Sequence, residues 1–197
     1  MVNGKNISAI ILAAGRSTRM GAPKLSLRFD PNTTFLQKLV NEYHSFACID
    51  IVVVVNAEVR ELLVCEPVQL PCSVTLVVNL HPDWERFYSL KLGAKTLRHI
   101  CPVFISNIDN PFVNQTILGQ LLDHGNDADY VYPACKGRGG HPFLLSANAV
   151  SQIVSEEKDQ VHLKEFLKRF SRHSVEIDDE RILANINEET EFKKFFG

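Results

Sequence analysis

The sequence predicts an α/β domain built on a mostly parallel, twisted sheet with helices on both faces, and three observations carry that expectation. Short apolar runs rich in β-branched residues alternate with segments of helical periodicity, the pattern of strand–helix–strand units. The run Ile51-Val52-Val53-Val54-Val55 is apolar throughout instead of alternating, as a strand covered on both faces should be. The 197 residues, 45% hydrophobic and 22% charged, suit a single domain with a full core, taken as residues 1–197.

In chain order, strands are expected over 9–14, 51–55, 74–78, 103–106 and 130–132. Helical spacing links Phe35, Leu36, Leu39, Val40 and Tyr43, then Ile117, Leu118, Leu121 and Leu122, then Leu163, Phe166, Leu167 and Phe170. Four polar, turn-rich segments punctuate this pattern: 15–24, 79–88, 107–111 and 136–142. The first three follow the carboxyl ends of predicted strands, the edge at which open parallel sheets bind ligands, so topology alone brings them to one cleft. The fourth follows 130–132 after a few residues. No repeat, low-complexity tract or linker interrupts the chain.

A net charge of −2 gives no reason to expect a polyanionic partner, which disfavours nucleic acid. The five cysteines, Cys48, Cys65, Cys72, Cys101 and Cys135, form no C-x-x-C pair and read as reduced thiols of a cytoplasmic protein. Each is expected to act as a small core residue, with Cys135 set apart because it precedes a glycine-rich loop. No run approaches the ~18 apolar residues of a membrane span, and the apolar stretch 7–14 is too short, and preceded by too little charge, for a signal-peptide core.

The chemistry concentrates first in residues 8–27. An apolar run ends in Ala13, Ala14 and Gly15, small enough for a ligand to approach the main chain, and Gly15 and Gly21 can turn backbone N–H groups toward an anion. Arg16, Arg19 and Lys24 add positive charge. Five residues separate Gly15 from Gly21 where a Walker A loop has four, and Ala22-Pro23-Lys24 follows where that loop needs Gly-Lys-Ser/Thr. No G-x-G-x-x-G is present either, so a dinucleotide fingerprint is excluded.

Asp109 stands just past a strand end, in Asn107-Ile108-Asp109-Asn110-Pro111. A carboxylate facing a cationic phosphate loop is placed to hold Mg²⁺ or Mn²⁺. The same residue types also make turns and helix caps, and residue chemistry alone leaves both readings open. In Gly137-Arg138-Gly139-Gly140-His141-Pro142 the glycines allow close approach to a substrate, and His141 can donate to a phosphate. Histidine before proline in a turn is as often structural, and a general-base role for it is disfavoured.

Leu12-Ala13-Ala14-Gly15-Arg16-Ser17-Thr18-Arg19-Met20-Gly21-Ala22-Pro23-Lys24 resembles the L-A-A-G-x-S-x-R-M-G-x-x-K signature of nucleotidyltransferases. It is most similar to the molybdenum cofactor cytidylyltransferase and guanylyltransferase branch, and every fixed position is met. The resemblance implies a Rossmann-like, nucleotide-diphospho-sugar transferase-like fold. It also implies Mg²⁺-dependent transfer of a nucleotidyl group from an NTP to a phosphate-bearing acceptor, with release of pyrophosphate. Asp109-x-Pro111 matches the family's metal-binding Asp-x-Pro, although Ile108 stands where a glycine often precedes the aspartate. Asn185-Ile186-Asn187-Glu188-Glu189-Thr190-Glu191-Phe192 is similar to the family's closing N-I-N-T-P-E-D-L, with Glu-Glu replacing Thr-Pro. It offers Asn185 as second metal ligand and Asn187 as the alternative; the competing reading is a polar segment capping a terminal helix.

The implied roles are catalysis by Arg19, Lys24 and Asp109, and nucleotide binding by Leu12, Ala13, Ala14, Gly15, Arg16, Ser17, Gly21, Lys24 and Asn79. Acceptor binding falls to Gly140, His141 and Pro142. Ala14, where guanylyl members usually carry glycine, points to CTP over GTP, and the implied acceptor is molybdopterin or its metal-loaded form, with a molybdoenzyme or its chaperone as protein partner. Asn79-Leu80-His81-Pro82-Asp83-Trp84 matches the family's N-x-x-x-x-W. The glycine and serine pair that should follow are replaced by Glu85-Arg86-Phe87-Tyr88-Ser89-Leu90, read as an altered, shorter loop, with Trp84 a packing residue. Two other readings stand beside this one: a cytidylyltransferase for a sugar or alcohol phosphate of the methylerythritol phosphate type, whose D-A-x-R-P differs from Asp109-Asn110-Pro111, and a non-catalytic nucleotide-binding module.

Overall fold

The computed structural model describes residues 6–15 and 23–197. Strand β1 (Ser8–Ala13) opens the fold, followed by a short hairpin of β2 (Arg28–Asp30) and β3 (Thr33–Thr34). Helix α1 (Phe35–Ser45) starts on a capping box in which Thr34 and Gln37 satisfy each other's end groups. Then come β4 (Ile51–Asn56), α2 (Ala57–Cys65), β5 (Val74–Asn79), α3 (Glu85–Thr96), β6 (Val103–Asn107) and α4 (Gln115–Asp123). The second half holds β7 (Tyr130–Cys135), β8 (Arg138–Gly139), β9 (Phe143–Leu145), α5 (Ala147–Ser155), α6 (Leu163–Leu167), β10 (Arg172–Glu176) and α7 (Glu189–Phe196).

The main sheet runs β10-β7-β9-β6-β1-β4-β5, with β8 joined to β7. Pairings of β1 with β4 and β6, β4 with β5, and β7 with β10 are parallel; β9 runs against β6 and β7, and β8 against β7. Side chains alternate across the sheet, so each strand feeds two cores. Ala9, Ile11, Ile51, Val53 and Val55 pack under α1 and α4, whereas Ile10, Leu12, Val52 and Val54 pack under α3, α5 and α6. The expected two-sided, mostly parallel sheet is present.

Three sequence expectations are corrected. Residues 85–90 are the first turns of α3, not a loop: Phe87, Leu90 and Ala94 recur at i, i+3 and i+7 and are buried against the sheet. The strand expected at 130–132 continues to Cys135, where β8 and β10 pair with it. Cys65 and Cys72 are exposed, while Cys48, Cys101 and Cys135 occupy the core as expected, and all five are free thiols. Among the described residues no helix is long and apolar enough to cross a membrane.

Candidate active site

Register brings the chemistry to one edge. Leu12 lies opposite Asn107, Ala13 opposite Val55, and Asn56 opposite Asn79, so β1, β4, β5 and β6 end level with one another. Beyond those ends a cavity is lined by Leu12, Ala14, Gly15, Lys24, Arg86, Ser89 and residues 107–109. The carbonyl of Ala14 accepts from Asn56 Nδ2 at 3.3 Å, and Asn56 also caps α2 through the Val59 N–H. The first loop is thus fastened to the neighbouring strand at the point where it leaves the sheet.

Asp109 follows directly on β6. The N–H of Ile108 donates to the Leu12 carbonyl at 3.1 Å, and that of Ile186 to the Asp109 carbonyl at 2.9 Å. Asn110 is buried and donates to the carbonyls of Arg181 and Ile182, tying the late segment of the chain beside the 107–111 turn. The turn reading and the ligand reading of this segment are therefore compatible, because Asn110 makes the turn and Asp109 faces the cavity. Asp109 Oδ2 lies 3.7 Å from Lys24 Nζ, and buried Oδ1 has no hydrogen-bond partner among the described residues. Burial holds the carboxyl above its ordinary pKa, offset in part by Lys24 and Arg86.

Lys24 Nζ also donates to Asn187 Oδ1 at 2.5 Å. Asn187, the alternative in the sequence reading, therefore stands next to Asp109. Asn185 is exposed, its amide donates to the Leu183 carbonyl at 3.4 Å, and it lines a different cavity, so of the two candidates it is Asn187 that the fold brings beside Asp109. Asn79 is fully buried, donates to Ser89 Oγ at 2.9 Å and accepts from the His81 N–H. Its amide thus faces Ser89 and the His81 backbone inside the fold, and Ser89 in turn lines the cavity.

Arg86 and Ser89 are the functional candidates that sequence reasoning missed. They sit one helical turn apart on α3, and reading 85–90 as loop hid that shared face. Arg86 also borders a second, adjoining cavity with Asn107, Tyr130, Tyr132, Gly140, His141 and Asn185. Trp84 stacks on His81 at 4.0 Å and contacts Tyr88, which makes it the packing residue expected.

His141 is presented by a backbone crossing. Its N–H donates to the Ile182 carbonyl, and a Cβ on Gly140 would lie 2.6 Å from that same oxygen, so only glycine fits there. The Asn107 amide lies 3.1 Å from His141 Nε2, and Nδ1 is buried and without a hydrogen-bond partner among the described residues. Burial and then Arg86 lower the imidazole to about 4, keeping it neutral near pH 7. A neutral imidazole so far below its ordinary pKa is a weak base, so His141 is poorly suited to take a proton. Arg16, Ser17, Arg19 and Gly21 lie outside the described residues.

A family model described as the MobA-like NTP transferase domain matches residues 9–176. The chain belongs to the MobA-like NTP transferase family. It is a nucleotidyltransferase, homologous to the molybdenum cofactor cytidylyltransferase of Escherichia coli, with which it shares 26% identity over 94% of its own length and 93% of the relative's. Crystallised Rv0371c from Mycobacterium tuberculosis superimposes with a TM-score of 0.79 at 17% identity, covering 98% of each chain. A structure of Rv0371c described as a complex with manganese gives 0.73 at 18% identity, covering 96% of this chain and 97% of that one. These structural likenesses show the fold, and the family match makes the cavity at the sheet edge its candidate active site.

Proposed function

We propose that this nucleotidyltransferase transfers the cytidylyl group of CTP to the phosphate of molybdopterin or its metal-loaded form, releasing pyrophosphate. The observation that carries the reading is the convergence of Gly15, Lys24, Arg86 and Asp109 on one cavity at the carboxyl edge of the sheet. An unpartnered, buried carboxylate oxygen at Asp109 suits a hard divalent cation, Mg²⁺ or Mn²⁺, with Asp109 and Asn187 as protein ligands. Such an ion would neutralise phosphate charge and align the reacting oxygens. The manganese complex of Rv0371c supports a divalent ion in this fold.

An acceptor phosphate is already ionised, so attack on the α-phosphorus needs position and charge neutralisation more than acid–base groups. Residues 12–15, with Arg16, Ser17 and Gly21 by sequence, hold the triphosphate. Lys24 and Arg19 offset charge building on the α-phosphorus and the leaving pyrophosphate. Ala14 narrows the base region toward a pyrimidine, a discrimination of ~1–3 kcal/mol. The E. coli cytidylyltransferase homologue supports the same choice.

On the acceptor side, Tyr130 and Tyr132 stack 5.1 Å apart and form an aromatic wall for a flat heterocycle. Arg86 and Arg172 supply charge for its phosphate, Gly140 and Pro142 shape the turn, and His141 borders the same cavity. Asn185 belongs to this side. The reaction would be cytoplasmic, with a molybdoenzyme or its chaperone receiving the product.

Incubation with Mg²⁺, each NTP in turn and molybdopterin tests the reading by pyrophosphate release. CTP should exceed GTP at least tenfold, and Asp109→Ala should abolish turnover. A preference for GTP would overturn the Ala14 argument, and unchanged turnover in Asp109→Ala would overturn the metal assignment.

A further inference from the structure

A second group of metal-ligating side chains lies away from the active-site cavity. His124 caps the carboxyl end of α4, Asp127 follows in the next turn, and His173 is the second residue of β10. His124 Nδ1 is 2.7 Å from Asp127 Oδ2, His173 Nε2 is 3.9 Å from the same oxygen, and one ligand atom from each residue lies within 4.8 Å of the others. The two imidazole rings stack with centroids 4.8 Å apart and planes 17° from parallel. Asp127 thus has histidines, not lysine or arginine, as its ion-pair partners among the described residues.

The supports for these side chains are regular structure. The N–H of Asp127 donates to the His124 carbonyl at 2.9 Å, and the N–H of Gly125 to the Leu122 carbonyl at 2.9 Å, closing a tight turn after α4. His173 is fixed by the parallel register of β10 on β7, opposite Val131. Its neighbour two residues on, Val175, packs in the core under α4, so His173 projects on that face of the sheet. Arg172, the next residue back, lines the acceptor-side cavity.

We propose that His124, Asp127 and His173 form a binding site for a borderline divalent transition ion of the Zn²⁺ class, fastening the end of α4 to the edge strand β10. Two imidazoles and one carboxylate are the donor set such ions prefer, whereas Mg²⁺ favours oxygen, so the site is chemically distinct from that at Asp109. Tetrahedral coordination at about 2.0–2.2 Å from each ligand sets ligand atoms roughly 3.3–3.5 Å apart. The 2.7 Å contact need open, and the 3.9 Å contact close, by less than about 1 Å, and the widest ligand pair, within 4.8 Å, need close by up to about 1.5 Å, within reach of partly exposed side chains. Binding through Nδ1 of His124 leaves that ring's proton on Nε2, and because both imidazoles ligate in the neutral form, affinity falls as the pH is lowered. Water completes the coordination.

Titration of the full-length protein with Zn²⁺ alone, followed by calorimetry and by the histidine ring resonances in NMR, tests this. One equivalent should bind in wild type and in Asp109→Ala, moving the His124 and His173 signals together and raising the thermal midpoint. His173→Ala should weaken that equivalent at least tenfold, and His124→Ala should do the same. Equal Zn²⁺ affinity in His173→Ala and wild type, or ring signals unmoved at one equivalent, overturns the proposal, including the case in which exposed Cys65 and Cys72 take the ion. Loss of the equivalent in Asp109→Ala alone would assign it to the catalytic cavity and overturn it equally.

Discussion

Burial holds the Asp109 carboxyl above the ordinary carboxylate range, and Lys24 with Arg86 offsets only part of that cost. The sign for stability follows from linkage. A carboxyl whose folded value is raised contributes stability below the unfolded value of 3.8, and that contribution is lost as pH rises through the folded value. At neutral pH the ionised group therefore destabilises the fold. Asp109→Asn keeps the shape and removes the charge, so its thermal midpoint should exceed wild type's by a few degrees at pH 7.5, while the two converge near pH 4. Turnover should fall at least ~100-fold, as when a group that stabilises transition-state charge is removed. Melting curves at both pH values check this, and a variant that melts below wild type at pH 7.5 refutes it. Asp109 was legible in the sequence because it follows a strand end. The burial of Asn79 against Ser89 and the His81 N–H was not legible, because nothing in a sequence shows which partners an amide finds inside the fold.

Helix α3 shows what a local reading loses. Its burial is carried by Phe87, Leu90 and Ala94, but the first turn begins with Glu85 at a φ of 57°, in the left-handed region. Glycine is the residue such a backbone favours, and the similar family pattern has glycine after its tryptophan, so the missing glycine changed the residue while the turn remained. Further along α3, buried Lys91 pairs with Asp159 at 2.6 Å, joining the helix to the segment between α5 and α6. Asp159→Ala would leave the ammonium buried and unpaired, and should cost about 2–3 kcal/mol in urea denaturation. Lys91→Met, which removes the charge and keeps the packing, should recover most of that loss in the double variant. A double variant as unstable as Asp159→Ala would show that charge is not the cause.

At the scale of the molecule, the sequence made the layered α/β class legible because buried parallel strands must be apolar on both faces, as 51–55 are. It did not make the strand order legible. The three residues of β9 carry no periodic signal, yet they run antiparallel between β6 and β7 and join the two ends of the sheet. Likewise β10 is a half-exposed edge strand whose place is set by β7 and not by its own composition. With the sheet continuous from β10 to β5, residues 1–197 should unfold as one unit. Far-ultraviolet and near-ultraviolet circular dichroism should then give coincident urea transitions, and separated midpoints would divide the chain into two domains.

The contact between Lys24 and Asn187 joins residues 163 positions apart. A free lysine side chain gives up about 1.5–2 kcal/mol of rotamer entropy when it is fixed. In the metal-free protein the amide oxygen of Asn187 and the carboxylate of Asp109 hold the ammonium at the cavity. That entropy is lost during folding, so if Lys24 meets a triphosphate as proposed, the cost of ordering it is carried by a contact with the late segment of the chain and not by binding.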